Sequence, residues 1–126
     1  MIPPPRHITV ERHGDVFCVT LRHRHLDECA VRQMGEEVID LIVKSGCRKL
    51  VFSFGPESPN CLYSVFLVKL MMIRRRMQEH EGALKLCDVG PEVHDVFEVC
   101  QLHHFFDFAP DRASAVAAFA NGGCRS

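Results

Sequence analysis

Two short runs rich in β-branched residues open the chain and predict a β-hairpin. The runs cover residues 8–10 and 16–21, and Gly14-Asp15 lies between them as a turn. After Leu26-Asp27 the apolar positions recur every three or four residues as far as Ile42, which is the period of one helical face. Asp27 suits the N-cap of this first helix, because its side chain can accept a hydrogen bond from the first turn.

The remaining chain alternates between apolar strands and amphipathic helices. The predicted strands cover residues 50–54, 83–87 and 105–108, and the predicted helices cover residues 64–81, 91–100 and 111–119. Residues 55–60 form a loop by their glycine and prolines. Strands separated by helices of this length join a largely parallel sheet through right-handed crossovers. We therefore predict an α/β fold, in which the N-terminal β-hairpin joins a mixed sheet of four to five strands with about four helices.

Length and charge narrow the class of protein further. We expect a single domain over residues 1–126, with a core at about 8–120 and flexible ends at 1–7 and 121–126. Fifteen Lys+Arg against sixteen Asp+Glu give a net charge of −1, which argues against direct binding to nucleic acid. No apolar run approaches the roughly eighteen residues of a membrane span, and the first residues lack a signal-peptide pattern. A cytoplasmic protein without membrane insertion is expected.

The cysteines and histidines indicate neither a disulfide scaffold nor a metal site. The seven cysteines are odd in number and widely spread, and most lie among apolar residues as small core residues do. We expect all seven to be reduced. His23-Arg24-His25 and His103-His104 have no cysteine or carboxylate at ligand spacing, so surface or half-exposed histidines are expected. We assign no metal and no cofactor.

Sequence signatures of enzymes are absent. The chain lacks the phosphate-binding, dinucleotide-binding and nucleophile-elbow motifs, and no nucleophile–base pair can be proposed, so we assign no catalytic residue. Three consecutive arginines at residues 74–76 fan out around a helix, which predicts a solvated helix face. Phe105, Phe106 and Phe108 predict a core strand rather than a ligand cage.

One serine has two interpretations. Ser64 begins the second predicted helix, after the loop that follows the central strand. Its hydroxyl is expected to cap the helix, an interaction worth about 0.5–2 kcal/mol. The alternative is a phosphorylation site, because a helix N-terminus favours a phosphoryl group of charge about −1.5 to −2. The residues alone favour the cap.

The order of the elements and several phrases resemble the STAS domain. This is the module of anti-sigma factor antagonists and of sulfate-transporter tails, and the chain is most similar to the stand-alone bacterial members. The resemblance covers about residues 14–119. It rests on Leu26-Asp27 before the first helix, KLVFSF at 49–54, LKLC at 84–87, and PEVHDVFEVCQL followed by FFDF between 91 and 108.

The resemblance implies a non-catalytic regulatory module that binds proteins. Its implied partners are an anti-sigma factor with serine kinase activity, from which phosphorylation releases the module, and a serine phosphatase. The regulatory serine of the family lies in an Asp-Ser-Ser-Gly-Leu-like phrase, and matching that leucine to Leu67 places the phosphoacceptor at Ser64. The carboxyl ends of parallel strands form the binding edge of such sheets. The implied partner-binding surface consists of Leu62, Tyr63, Ser64, Asp88 and Pro91.

Departures from this phrase keep other functions open. Tyr63 replaces the acidic residue, Val65 replaces the second serine, and Phe66 replaces the glycine. A kinase that docks here would meet a bulky side chain and would lack the carboxylate of the family phrase. The second hypothesis is therefore a STAS-like scaffold or sensor subunit that has lost phosphoregulation. A third is a small-molecule or lipid-binding module, suggested by the apolar run at residues 65–68, which equally fits a helix buried against the sheet.

Overall fold

A mixed five-stranded sheet organises the fold. The structure is a computed structural model of the chain, and it describes residues 7–22, 25–54, 60–61 and 63–122. In chain order the elements are β1 (Ile8–His13), β2 (Val16–Leu21), β3 (His25–Leu26), α1 (Glu28–Lys44), β4 (Lys49–Ser53), β5 (Asn60–Cys61), α2 (Tyr63–Glu79), β6 (Ala83–Cys87), α3 (Pro91–Val99), a 3-10 turn (His103–Phe105), β7 (Asp107–Ala109) and α4 (Arg112–Gly122).

The strand order across the sheet is β1-β2-β4-β6-β7. β1 pairs antiparallel with β2, and the other neighbouring strands pair in parallel. Each parallel connection carries a helix, as crossovers between parallel strands require. The predicted α/β class is confirmed, with its N-terminal hairpin, a mixed sheet of five strands and four helices.

The two faces of the sheet are covered by different helices. Successive side chains of a strand point to opposite faces, so each central strand contributes to two clusters. Phe52 of β4 packs in the larger cluster, with buried residues of α1, α2 and α3. Val51, one position earlier, packs in a smaller cluster with Ala115 and Phe119 of α4. The fold therefore has three layers, with the sheet in the middle.

The boundaries of α1 follow its predicted signals. The Asp27 carboxylate accepts a hydrogen bond from the backbone N–H of Ala30 at 2.7 Å, which is the predicted N-cap interaction. At the other end Ser45 is the C-cap, and Gly46 adopts a φ of +72°, which a residue without a Cβ adopts at no steric cost.

Two features differ from the sequence-based expectation. The two-residue strands β3 and β5 pair in parallel as a separate small sheet, which is too short to leave a periodic pattern. The last strand begins at Asp107, because a 3-10 turn occupies the residues before it. Phe106 is buried as predicted, but Phe105 lies in that turn and is 45% exposed. Neither Phe105 nor Phe106 lies in β7, so the predicted strand was wrong at both residues, and the predicted burial was wrong at Phe105.

Some predictions lie outside the described residues. These include the loop at 55–59, His23 and Arg24, and most of the predicted flexible ends at 1–6 and 123–126. Among the described helices, none is long and apolar enough to cross a membrane.

Candidate functional site

Two chain segments that follow neighbouring strands leave the sheet at its carboxyl edge. β4 and β6 are adjacent and parallel, so the segment that leads into α2 and the turn that leads into α3 leave the same edge. The first segment carries Ser64 and the second carries Asp88 and Pro91. This is the edge at which α/β sheets place their binding crevices.

Ser64 is exposed in the first turn of α2. Helix α2 begins at Tyr63, so Ser64 lies one position inside the helix and not at the predicted N-cap. The backbone of Tyr63 forms the first residue of the helix. Leu62, the residue before it, lies outside the described part of the chain. The structure therefore places the Ser64 hydroxyl on the surface, near the positive end of the helix dipole.

Asp88 is held in place by a residue that the sequence did not single out. The buried Ser53 hydroxyl, at the end of β4, donates a hydrogen bond to Asp88 Oδ2 at 2.6 Å. Asp88 adopts a φ of +58°, in the left-handed region that aspartate enters more readily than most residues. Pro91 follows as the first residue of α3, where its missing N–H costs no helical hydrogen bond. The turn before α3 is thus tied to β4.

The same carboxylate affects a neighbouring thiol. Cys87 Sγ lies 3.6 Å from Asp88 Oδ2. Burial, together with the negative charge of Asp88, raises the pKa of Cys87 to about 12. Cys87 is therefore an inert thiol at neutral pH.

Other described cysteines divide between the core and the surface. All five that the structure describes are free; Cys18 and Cys47 are buried like Cys87, whereas Cys29 and Cys100 are exposed. The prediction of reduced cysteines also covers Cys61 and Cys124, whose side chains lie outside the described residues.

Phe66 does not stand on the surface around Ser64. It is fully buried, and its ring packs edge-on against the rings of Phe54 at 5.5 Å and Phe52 at 6.3 Å. Leu67 is also buried. The apolar run at residues 65–68 is therefore explained largely by packing against the sheet, and Phe66 is not an obstacle to docking from the solvent side.

An open groove runs along the outer side of α2, and we name it the α2 groove. Its volume is about 700 Å³. Ser64 lies among its lining residues, and the apolar walls come from α2 and from the segment after α3. The apolar lining residues are Leu67, Val68, Met71, Met72 and Leu102. The groove was not predicted from the sequence, although the unusually apolar first half of α2 was a signal for it.

Two residues of the arginine run, Arg74 and Arg75, lie at the other end of the groove. Arg75 and Arg76 are exposed and pair with Glu79 at 3.5 and 4.0 Å, as expected for a solvated helix face. Arg74 differs, because its Nε donates to the backbone carbonyl of Phe105 and its guanidinium lies 5.1 Å from the centre of that ring. Arg74 is thereby fixed against the 3-10 turn.

The histidine and acidic residues form no metal centre in the described ranges. No group of three or more His, Cys, Asp or Glu side chains there is arranged to hold a metal ion. The rings of His103 and His104 stack on each other, with centroids 3.9 Å apart.

Comparison with known proteins identifies the fold. No protein-family model matches the chain. Among solved structures, an anti-sigma-factor antagonist (STAS) domain protein from Planctomyces limnophilus superposes with a TM-score of 0.78 at 20% identity, covering 90% of this chain and 97% of that one. The chain therefore has the STAS fold, and the resemblance inferred from its sequence is confirmed.

Particular relatives show the same resemblance. RsbS of Moorella thermoacetica, in a variant form, matches with a TM-score of 0.79 at 17% identity over 94% of this chain and 99% of that one. The phosphorylated form of SpoIIAA from Bacillus matches with a TM-score of 0.67 at 18% identity, over 87% and 96%. BtrV of Bordetella bronchiseptica, named as an anti-sigma factor antagonist, is 30% identical over 77 residues. That match covers 61% of this chain and 65% of BtrV.

Proposed function

We propose that this protein is a non-catalytic regulator of the anti-sigma factor antagonist type. It binds an anti-sigma factor with serine kinase activity, which phosphorylates Ser64 and is then released, and a serine phosphatase restores the unphosphorylated form that can bind again. The proposal places the protein in the cytoplasm. The name of BtrV, and the phosphorylated form in which SpoIIAA was solved, support a switched protein–protein interaction.

The observation that carries the proposal is the placement of Ser64. Its side chain is exposed in the first turn of α2, at the same sheet edge as Asp88 and Pro91. A phosphoryl group there would take the formal charge from −1 to about −3, on a surface lined by apolar residues. A partner that buries this surface must then desolvate two negative charges, and this cost weakens binding.

The departures from the family phrase do not remove the switch surface. Phe66 points into the core, so it does not cover the Ser64 hydroxyl from outside. The proposed partner-binding surface is Leu62, Tyr63, Ser64, Asp88 and Pro91. Asp88 is a fixed part of this surface, because Ser53 holds its carboxylate.

The test is affinity purification from the native host, with phosphosite mapping, followed by titration of the captured kinase. We expect Ser64→Asp to weaken kinase binding tenfold or more, which corresponds to about 1.4 kcal/mol. Ser64→Ala should retain binding and abolish the phosphorylated form. Thermal stability should change little in both variants, because aspartate is favourable in the first turn of a helix.

A matched control adds the same charge elsewhere. Ala117 is exposed on α4, on the opposite face of the sheet, so Ala117→Asp should leave kinase binding unchanged. Binding that is indifferent to Ser64→Asp would exclude the switch. That result would favour the second candidate, a scaffold or sensor subunit that binds its partner constitutively.

A further inference from the structure

The lining residues of α2 form two parallel rows along the groove. One row is Ser64, Val68, Met72 and Arg75, and the other is Leu67, Met71, Arg74 and Gln78. The first row steps by four, four and three residues and the second by four, three and four, and steps of three or four residues form a ridge on a helix surface. From Ser64 to Gln78 the rows extend over fourteen residues at 1.5 Å each, about 21 Å. Two adjacent ridges on one flank of a helix are a surface against which another helix packs.

The other flank of α2 already holds a helix. Gly35 of α1 approaches α2 so closely that a Cβ on it would lie 2.8 Å from the Lys69 side chain. The groove flank has no such neighbour among the described residues: Val68 is 58% exposed and Met72 is 43% exposed. Exposed apolar side chains that adjoin each other mark interaction surfaces. Methionines suit such surfaces because their unbranched side chains adapt to a partner.

The positive charge at one end of the groove favours an occupant with negative charge at that end. None of the described lining residues carries a carboxylate, whereas Arg74 and Arg75 lie together at one end. Arg74 is positioned in advance by the Phe105 carbonyl and ring. Arg75 is 81% exposed at its side chain, and its pairing partner Glu79 lies one turn further along α2. An occupant with carboxylates at this end and apolar residues toward Ser64 complements the groove.

We propose that the α2 groove docks an amphipathic helix of a protein partner, about four turns long, with acidic residues at the end that meets Arg74 and Arg75. The choice of a protein as occupant rests on the proposed function. The choice of an acidic helix rests on the two ridges and on the charge of the groove. Helix-in-groove recognition uses anchors at this spacing.

The probes are two synthetic fourteen-residue helical peptides with the same leucine stripe. One peptide carries glutamates at one end of the stripe, and the other carries lysines at the same positions. The protein is labelled at its methionine methyl groups; Met71 and Met72 report on the groove, and Met34, buried on α1, is the internal control. We expect the glutamate peptide to shift the methyl resonances of Met71 and Met72, to leave that of Met34 unchanged, and to bind about tenfold more tightly than the lysine peptide.

Charge reversal tests whether the charged end of the peptide lies against Arg75. Arg75→Glu should remove the preference for the glutamate peptide, whereas Arg32→Glu should retain it. Arg32 is a matched control, because it is exposed on α1 and pairs with Glu28 at the same four-residue spacing. Equal affinity for the two peptides, or no shift at Met71 and Met72, would overturn the proposal. Saturable shifts with sodium laurate and none with either peptide would assign the groove to lipids instead. These titrations use neither kinase nor Ser64 variants, so their failure would leave the Ser64 switch standing.

Discussion

Asp88 shows how a single side chain depends on the register of the whole sheet. Its position after β6 was readable from the sequence, and so was its place at the carboxyl edge of the sheet. Its partner Ser53 was not, because the two residues are 35 positions apart and meet only through the parallel pairing of Ser53 with Cys87. Ser53 lies at the end of an apolar run. A serine in that position can be a buried hydrogen-bond donor or simply the end of a strand, and the local pattern does not distinguish the two.

The buried thiols give a prediction at this scale. Burial raises the pKa of Cys47 and of Cys87 to about 12 from an ordinary value of 9.0. The folded protein then keeps both thiols protonated at a pH where the unfolded chain ionises them. Their contribution to stability is complete below about pH 9 and is lost between about pH 9 and 12. Each thiol should lower the free energy of unfolding by about 1 kcal/mol between pH 8 and 10.

Urea denaturation at pH 8 and at pH 10 measures this effect. The free energy of unfolding should decline between pH 8 and pH 10. In the double variant Cys47→Ala with Cys87→Ala, this decline should be about 2 kcal/mol smaller than in the natural chain. The control is Val51→Ala, which truncates a buried side chain of β4 without removing a titrating group. A double variant with the full decline would show that these thiols ionise in the folded protein as they do in the unfolded one.

At the scale of single elements, α2 carries two apolar faces and only one of them is covered. Phe66, Leu70, Ile73 and Met77 are buried toward the sheet, whereas Val68 and Met72 are exposed on the groove side. The sequence predicted the helix, and its apolar run at residues 65–68 fitted burial against the sheet. It could not separate the faces, because apolar residues on both sides erase the periodic difference that marks a buried stripe.

Truncating a side chain should have a large effect on stability on the covered face of α2 and a small effect on the exposed face. Phe66→Ala removes a ring packed against Phe52 and Phe54, and it should lower the free energy of unfolding by about 3–5 kcal/mol. Val68→Ala, two residues along the same helix, should change it by less than about 0.5 kcal/mol, because Val68 is 58% exposed. Denaturation in urea measures both. Comparable losses in the two variants would mean that α2 is rotated about its axis relative to this structure.

At the scale of the whole molecule, the element order was predictable and the groove was not. Changes between strand and helix periods, with the turn residues between them, are local signals, and they were sufficient for the hairpin and the parallel sheet. The α2 groove depends on where the chain runs after α3. Gln101 takes a φ of +57°, and the 3-10 turn then brings Phe105 against Arg74. Such contacts link residues about 30 positions apart and leave no periodic pattern.

The strand order leads to a prediction for amide hydrogen exchange. β4 is central, with β2 and β6 hydrogen-bonded on either side, and its residues Val51 and Phe52 are fully buried on opposite faces. Amides of β4 and β6 should therefore exchange only through global unfolding. Those of the edge strands β1 and β7 should exchange faster, and those of the two-residue strands β3 and β5 should be the fastest, since they open locally.

The truncation variants turn this ranking into a quantitative test. If β4 and β6 exchange through global unfolding, Phe66→Ala must accelerate their amides by the full loss of stability, which at about 3 kcal/mol is more than a hundredfold. Amides of β3 and β5 should accelerate far less, because their opening does not require the core to unfold. Val68→Ala should leave the exchange rates of all these amides unchanged. Equal acceleration in all strands would instead show that the small β3–β5 sheet unfolds together with the core, so that the edge bearing Ser64 is as stable as the centre of the fold.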